Sequence, residues 1–179
     1  MVGEAKLEQQ PGGGLRAVGE GWFVLGVEDA AWDTHPAFGS ECPFEGTAPW
    51  KQLGVNICVL EPGQPNGYYH RELHDQEDFL VLAGECVLLV EEQERRLKAW
   101  DFVHCPPGTD HIFVGAGERP CAILMLGARV EHGIVYPRSE LALRYGAGVE
   151  VETDSPREAY SAHPDPVPGG LARWRALGL

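Results

Sequence analysis

Between Leu53 and Gly127 the chain alternates short apolar runs with clusters of glycine, proline and charge. LGVNICVL (53–60), DFLVLA (78–83), CVLLV (86–90), a run over 97–105, Ile112–Val114 and CAILMLG (121–127) each have the length of a strand. They recur roughly every 8 to 12 residues, and no stretch among them carries a helical period. This pattern predicts an all-β sandwich or barrel. DFLVLA and CVLLV are apolar at consecutive positions, whereas a strand with one wet face alternates. Both faces of these strands are therefore expected to be covered, by a second sheet, a subunit or the N-terminal arm.

The flanks read differently. Residues 1–14 are polar and glycine-rich and predict a flexible tail. GWFVLGV (21–27) predicts a strand, Glu28–Trp32 a turn or short helical piece, and residues 33–50 a long loop packed through Phe38, Phe44 and Trp50. EEQERR (91–96) predicts a polar hairpin turn, and Pro106-Pro107-Gly108 forces another. RSELALRY (138–145) predicts a short helix that Ser139 caps and Gly146 stops. Residues 150–170 read as an arm, and LARWRALGL docks by Trp174 and its leucines. The organisation expected is a tail (1–14), a barrel domain with its N-terminal arm (15–147), and a C-terminal extension packed on the barrel (148–179).

Charge narrows the range of partners. The chain has 27 acidic and 14 basic residues, a formal net charge of −13. Such a surface repels phosphate backbones and anionic lipid, so neither nucleic acid nor a membrane is an expected partner. Cys42, Cys58, Cys86, Cys105 and Cys121 are widely spaced with no CxxC pair, which suits buried thiols in a reducing compartment. Residues 1–14 lack a signal-like apolar region, and the expected location is the cytoplasm.

Two segments carry the candidate chemistry: GQPNGYYHRELHDQEDFLVLAG (63–84) and WDFVHCPPGTDHIFVG (100–115). On a strand near Tyr68, His70 and Glu72 point to one face. Glu77 opens the next strand, and His111 follows the Pro-Pro-Gly turn. Two imidazoles with one or two carboxylates can converge inside a barrel, a donor set suited to Fe, Mn, Ni, Co or Zn. His74 is an alternative fourth ligand to Glu72. Read without further guidance, these histidines could equally be satisfied residues at a barrel mouth. His104, of opposite parity to Cys105, is expected to face outward, and His132 and His163 to lie on the surface.

These segments resemble the two motifs of the cupin superfamily. In the first, G-x5-H-x-H-x3or4-E-x6-G, counting back from Gly84 places Glu77 on the glutamate, Glu72 on the second histidine and His70 on the first; the opening glycine falls on Gln64, one residue after Gly63. In the second, G-x5-P-x-G-x2-H-x3-N, Pro106, Gly108 and His111 match, Trp100 replaces the first glycine, and Gly115 stands in place of asparagine. More loosely, the whole chain resembles small, mostly uncharacterised bacterial cupin-domain proteins. The resemblance implies a cupin double-stranded β-helix, or jelly-roll barrel, with an N-terminal arm and a short C-terminal helix. It also implies a divalent transition metal held by His70, Glu72, Glu77 and His111, and a homodimer. The function implied is a metal-dependent enzyme of oxygenase, isomerase or decarboxylase type acting on a small organic molecule, with Glu72 as a ligand or catalytic proton-transfer carboxylate. The alternatives are a non-catalytic module that binds or senses a small ligand, and a structural paralogue.

Overall fold

A computed structural model describes residues 1–178. In chain order the strands are β1 (Lys6–Gln9), β2 (Leu15–Val18), β3 (Asp33–His35), β4 (Gly39–Pro43), β5 (Leu53–Leu60), β6 (Arg71–Glu72), β7 (Glu77–Ala83), β8 (Glu85–Val90), β9 (Gln93–Lys98), β10 (Phe102–Cys105), β11 (His111–Ala116), β12 (Cys121–Ala128) and β13 (Ile134–Val135). Helices α1 (Glu140–Arg144) and α2 (Pro156–Ala159), strand β14 (Val167–Pro168) and helix α3 (Leu171–Arg175) follow. A seven-stranded sheet, β10-β7-β12-β5-β4-β3-β14, and a three-stranded sheet, β11-β8-β9, account for most of the chain. All their pairings are antiparallel. This is a cupin-type β-fold with extensions at both ends.

Three apolar clusters explain the doubly apolar strands. Phe79, Val81 and Ile123 of the large sheet meet Cys86, Leu88 and Phe113 of the small one in a buried core. On the far side of the small sheet, Val87, Leu89 and Ile112 are covered by Leu141 and Ala142 of α1 together with Tyr69. On the far side of the large sheet, Ile57, Val59 and Ala122 are covered by Trp32 of the N-terminal arm and by Leu171 and Trp174. The two indoles pack with centroids 5.8 Å apart and planes tilted by 36°. The chain thus covers both outer faces with its own arms, over the greater part of each sheet.

Several local expectations are corrected. Residues 6–9, within the stretch read as a tail, pair with β2. GWFVLGV forms no strand: Trp22 and Val24 are exposed, while Leu25 and Val27 pack on the Trp32 cluster. The loop read over 33–50 supplies β3 and β4, because the open edge of β5 needs hydrogen-bonding partners. Only Glu91 and Glu92, both at positive φ (48° and 59°), make the turn read over 91–96. Gln93–Lys98 is an edge strand, whose charges discourage pairing with another chain. Ser139 does cap α1, accepting a hydrogen bond from the Ala142 N–H at 3.0 Å.

The structure also accounts for the motif departures. A Cβ at Gly115 would lie 2.2 Å from the Glu61 carbonyl oxygen, so asparagine cannot occupy that position without moving backbone. Trp100 sits at φ 73° on a glycine position while its side chain is 75% exposed. A bulky residue is strained in this left-handed region by roughly 1–2 kcal/mol. Because the indole packs little in the isolated chain, Trp100→Gly is expected to raise stability by about 1 kcal/mol, less the extra entropy glycine gives the unfolded chain. Chemical denaturation measures this, and a lower midpoint would show that the exposed indole is held by contacts outside the single chain.

Candidate metal centre

His70 and His111 are brought together by main-chain bonding. The His70 N–H donates to the His111 carbonyl at 3.1 Å, and the His111 N–H returns a bond of 2.8 Å to the His70 carbonyl. Residues paired this way across antiparallel chains project their side chains on one face, and the ring centroids are 4.9 Å apart. Glu77 comes from the large sheet, where its alternation with Phe79 and Val81 points it inward. Opposite it are Gly127 of β12 and Cys105 of β10. One ligand atom from each of His70, Glu77 and His111 lies within 4.8 Å of the others.

The tautomers follow from the partners. His70 Nδ1 is 2.8 Å from the Tyr68 carbonyl, and His111 Nδ1 is 3.0 Å from the Thr109 carbonyl. A carbonyl only accepts, so both Nδ1 atoms carry the proton and donate it, as outer contacts of metal-bound imidazoles commonly do. The Nε2 atoms then face Glu77 Oε2, at 3.8 Å from His70 and 3.3 Å from His111. Glu77 Oε2 is buried with no hydrogen-bond partner. Ligand atoms at about 2.0–2.1 Å around a tetrahedral ion would lie about 3.3 Å from one another. Three converging lone pairs at this spacing fit a cation between them.

Charge within the cluster is shared unequally. Burial and the charge of His111 pull His70 down to about 4. Burial also opposes protonation of His111, yet the Glu77 carboxylate 3.3 Å away outweighs it and raises that imidazole. For Glu77, burial acts upward but the two histidines hold the carboxylate lower than usual.

Glu72 lies outside the three-atom cluster but lines the same cleft as Glu77. Burial, then the charges of Glu77 and Asp75, push its carboxyl up to about 7. His74 is exposed and joins no cluster of three or more ligating groups among the described residues. His104 faces outward and pairs with Asp78 at 2.7 Å. Asp75 accepts from the Val130 N–H at 2.6 Å. His132 is exposed, whereas His163, also expected on the surface, is partly buried with Nε2 2.8 Å from the Tyr68 hydroxyl. Sequence reasoning also missed Tyr136, which packs 5.9 Å from the His70 ring and is backed by Tyr160. Neither tyrosine lies within the two recognised segments: Tyr136 follows β13, which pairs with β6 beside His70, and Tyr160 arrives on the C-terminal extension.

Cys105 is 3% exposed among apolar side chains, with burial pushing its thiol up to about 12. All five cysteines are free and buried. A thiol-specific aromatic disulfide reagent should therefore titrate none of them rapidly in the native protein and all of them in guanidinium. Fast native reaction at Cys105 would mean that this thiol is open to the cleft.

Residues 56–127 match the model of the cupin domain. No curated protein matches the chain. Among solved structures it is similar to a protein from Acidithiobacillus ferrooxidans provisionally named a sugar phosphate isomerase, with 26% identity and a TM-score of 0.44 over 47% of this chain and 54% of that one. It is also similar to a cupin-superfamily sugar phosphate isomerase from Silicibacter pomeroyi, with 25% identity and a TM-score of 0.47 over 54% and 68%. For KdgF from a Halomonas species the values are 20% and 0.52, over 63% and 96%. The chain thus matches about half the length of the first of these and nearly all of the last, whose likeness establishes the fold.

Proposed function

We propose that this cupin domain binds a divalent transition metal through His70, Glu77 and His111 and serves as a metal-dependent enzyme on a small organic molecule. The observation that carries the reading is the buried, unpartnered Oε2 of Glu77, facing two imidazole nitrogens whose other nitrogens are already committed to backbone carbonyls. The mixed nitrogen and oxygen set suits Fe, Mn, Ni, Co or Zn. A metal held there supplies Lewis acidity toward an oxygen-bearing substrate.

The chain's own groups define the rest. Glu72 lies in the cleft beside Glu77, where it serves as a fourth ligand or as the carboxylate that moves a proton on the substrate. Phe79 packs 5.2 Å from the His111 ring and Tyr136 backs His70, so both imidazoles are held against aromatic faces. No described helix is long and apolar enough to cross a membrane.

Elemental mass spectrometry on protein purified without tag or chelator tests the site. Near-stoichiometric metal is expected in the wild type, with at least tenfold less in His111→Ala and Glu77→Gln. Loss in Glu72→Ala would make that carboxylate a ligand, and retention would leave it free for proton transfer. A wild type that is empty and cannot be reloaded would overturn the metal reading. Chelation of the loaded protein should lower its melting temperature, because binding to the folded state alone stabilises it.

We also propose a homodimer, formed over the exposed face carrying Trp100 and Phe102, which are 75% and 63% exposed at the outer edge of the large sheet. Sedimentation equilibrium should give twice the chain mass, and Phe102→Glu should halve it.

A further inference from the structure

A continuous trough leads away from the candidate metal centre along the inner face of the large sheet. Cavities of about 690, 350 and 420 Å³ adjoin one another. The first two share Glu77, Gly127 and Arg129, and the last two share Glu41, Asn56 and Met125. The sheet register explains the path. Glu77 pairs with Gly127, which pairs with Gly54 of β5, and Met125 pairs with Asn56, which pairs with Pro43 of β4. Three strand spacings separate β7 from β4, about 14 Å. Gly127 contributes no side chain, and even a Cβ there would stand 3.8 Å from Glu77 Oε1, whereas the Arg129 guanidinium lies over Gly54, 3.1 Å from where a Cβ would be. The floor is therefore low at Gly127, and the path to the far end runs past Met125 with Arg129 at its side.

The two ends differ in their basic residues. Both ends carry carboxylates, Glu45, Glu72, Asp75, Glu77 and Glu131 at the metal end, but only that end also has basic side chains, Lys51 and Arg129, with Arg129 bound to Glu45 and to the Trp50 carbonyl. At the far end Asp33, Glu41 and Asp165 line the cavity and no lysine or arginine does. Arg16 neutralises Asp33 at 3.0 Å. Glu41 accepts from the Asn56 amide, and neither it nor Asp165 has an ion pair among the described residues. His35 supplies no compensating charge there. Its Nδ1 accepts from the Ala37 and Phe38 N–H groups, so only Nε2 carries a proton, donated to the Pro164 carbonyl at 2.9 Å. Phe38 and Tyr160, packed edge to face at 5.3 Å, add aromatic surface to the same wall.

We infer that the far end of this trough is a recognition pocket for an ammonium group, and that the ligand of the site is an amine-bearing molecule whose oxygen end reaches the metal centre. This rests on the metal reading above for the oxygen end only. Two uncompensated carboxylates favour a cation and oppose an anion. Aromatic faces add attraction for a cation that they do not offer to a carboxylate. Phosphate or carboxylate groups meet no lysine or arginine in this pocket, and its second histidine, His163, is engaged through Nε2 with the Tyr68 hydroxyl.

Three molecules of nearly equal length test the inference: 6-aminohexan-1-ol, hexane-1,6-diol and 6-hydroxyhexanoate. Each is titrated into the full chain at low salt, before and after metal loading, with ligand-observed NMR and calorimetry as readouts. The amino alcohol is expected to bind roughly tenfold more tightly than the diol, and the hydroxy acid more weakly than either. The preference should fall at least threefold in Asp165→Asn and disappear in the Glu41→Gln/Asp165→Asn double variant, with metal content unchanged. Asp165 is exposed, so its variant keeps the test usable if the double variant folds poorly. Equal binding of the three probes, tighter binding of the hydroxy acid, no binding at all, or a preference that survives in Asp165→Asn would overturn the inference. A failed metal assay with the charge preference intact would instead count against the metal reading alone.

Discussion

Two main-chain hydrogen bonds between His70 and His111 tie the segment after the Pro65–Gly67 stretch to the start of β11, and the candidate centre depends on that tie. Because each residue both donates to and accepts from the other, the register cannot slip by one without turning one imidazole to the opposite face. Gly108, at φ 85°, brings the chain into β11 at this point, and its N–H donates to the Glu72 carbonyl at 2.7 Å. The Pro-Pro-Gly turn is thereby bonded to the segment that carries His70. The turn and the ligand segment are one hydrogen-bonded unit.

Set against that unit, Glu77 is costly for the chain to retain. A buried carboxylate oxygen without a hydrogen bond costs on the order of 1–3 kcal/mol or more. Packing a leucine there would remove the cost. The chain instead aims the carboxylate at two imidazoles and fixes the distal nitrogen of each. Such pre-organisation lowers the reorganisation needed when a cation binds, while leaving the empty site less stable than an apolar core would be. Stability is supplied elsewhere, by the core around Phe79, Phe113 and Ile123 and by the arms over both outer faces.

How much of this the sequence carried follows from how local each signal is. Strand lengths were legible because alternation and punctuation act within a few residues, whereas the cupin-type fold and the convergence of His70, Glu77 and His111 were legible only through the resemblance to the two cupin motifs. The edge strands were not. Gln93–Lys98 reads as a turn because its charges serve against aggregation rather than for packing, and β3 and β4 are strands only because β5 offers them an edge. The position of Glu72 was only partly legible, since parity places it near His70 but cannot place its carboxylate relative to Glu77. His163 and Tyr160 were invisible as pocket residues, since nothing near them in sequence marks the fold-back that brings them to Tyr68.

That fold-back gives the C-terminal extension a role beyond covering apolar surface. The Tyr160 hydroxyl accepts from the Tyr68 N–H at 3.0 Å, two residues before His70, and the Tyr160 ring packs against Tyr136, which in turn backs the His70 ring. The same extension contributes Pro164 as acceptor for His35 and Asp165 to the far wall of the trough. One segment therefore shapes both ends of the cleft: it braces a candidate ligand at one end and sets the charge at the other. The two motif segments supply the candidate ligating atoms, which any related barrel could share. On the proposed reading, selectivity comes from residues outside them, on the arm that carries Phe38 and Glu41 and on the extension that carries Tyr160 and Asp165.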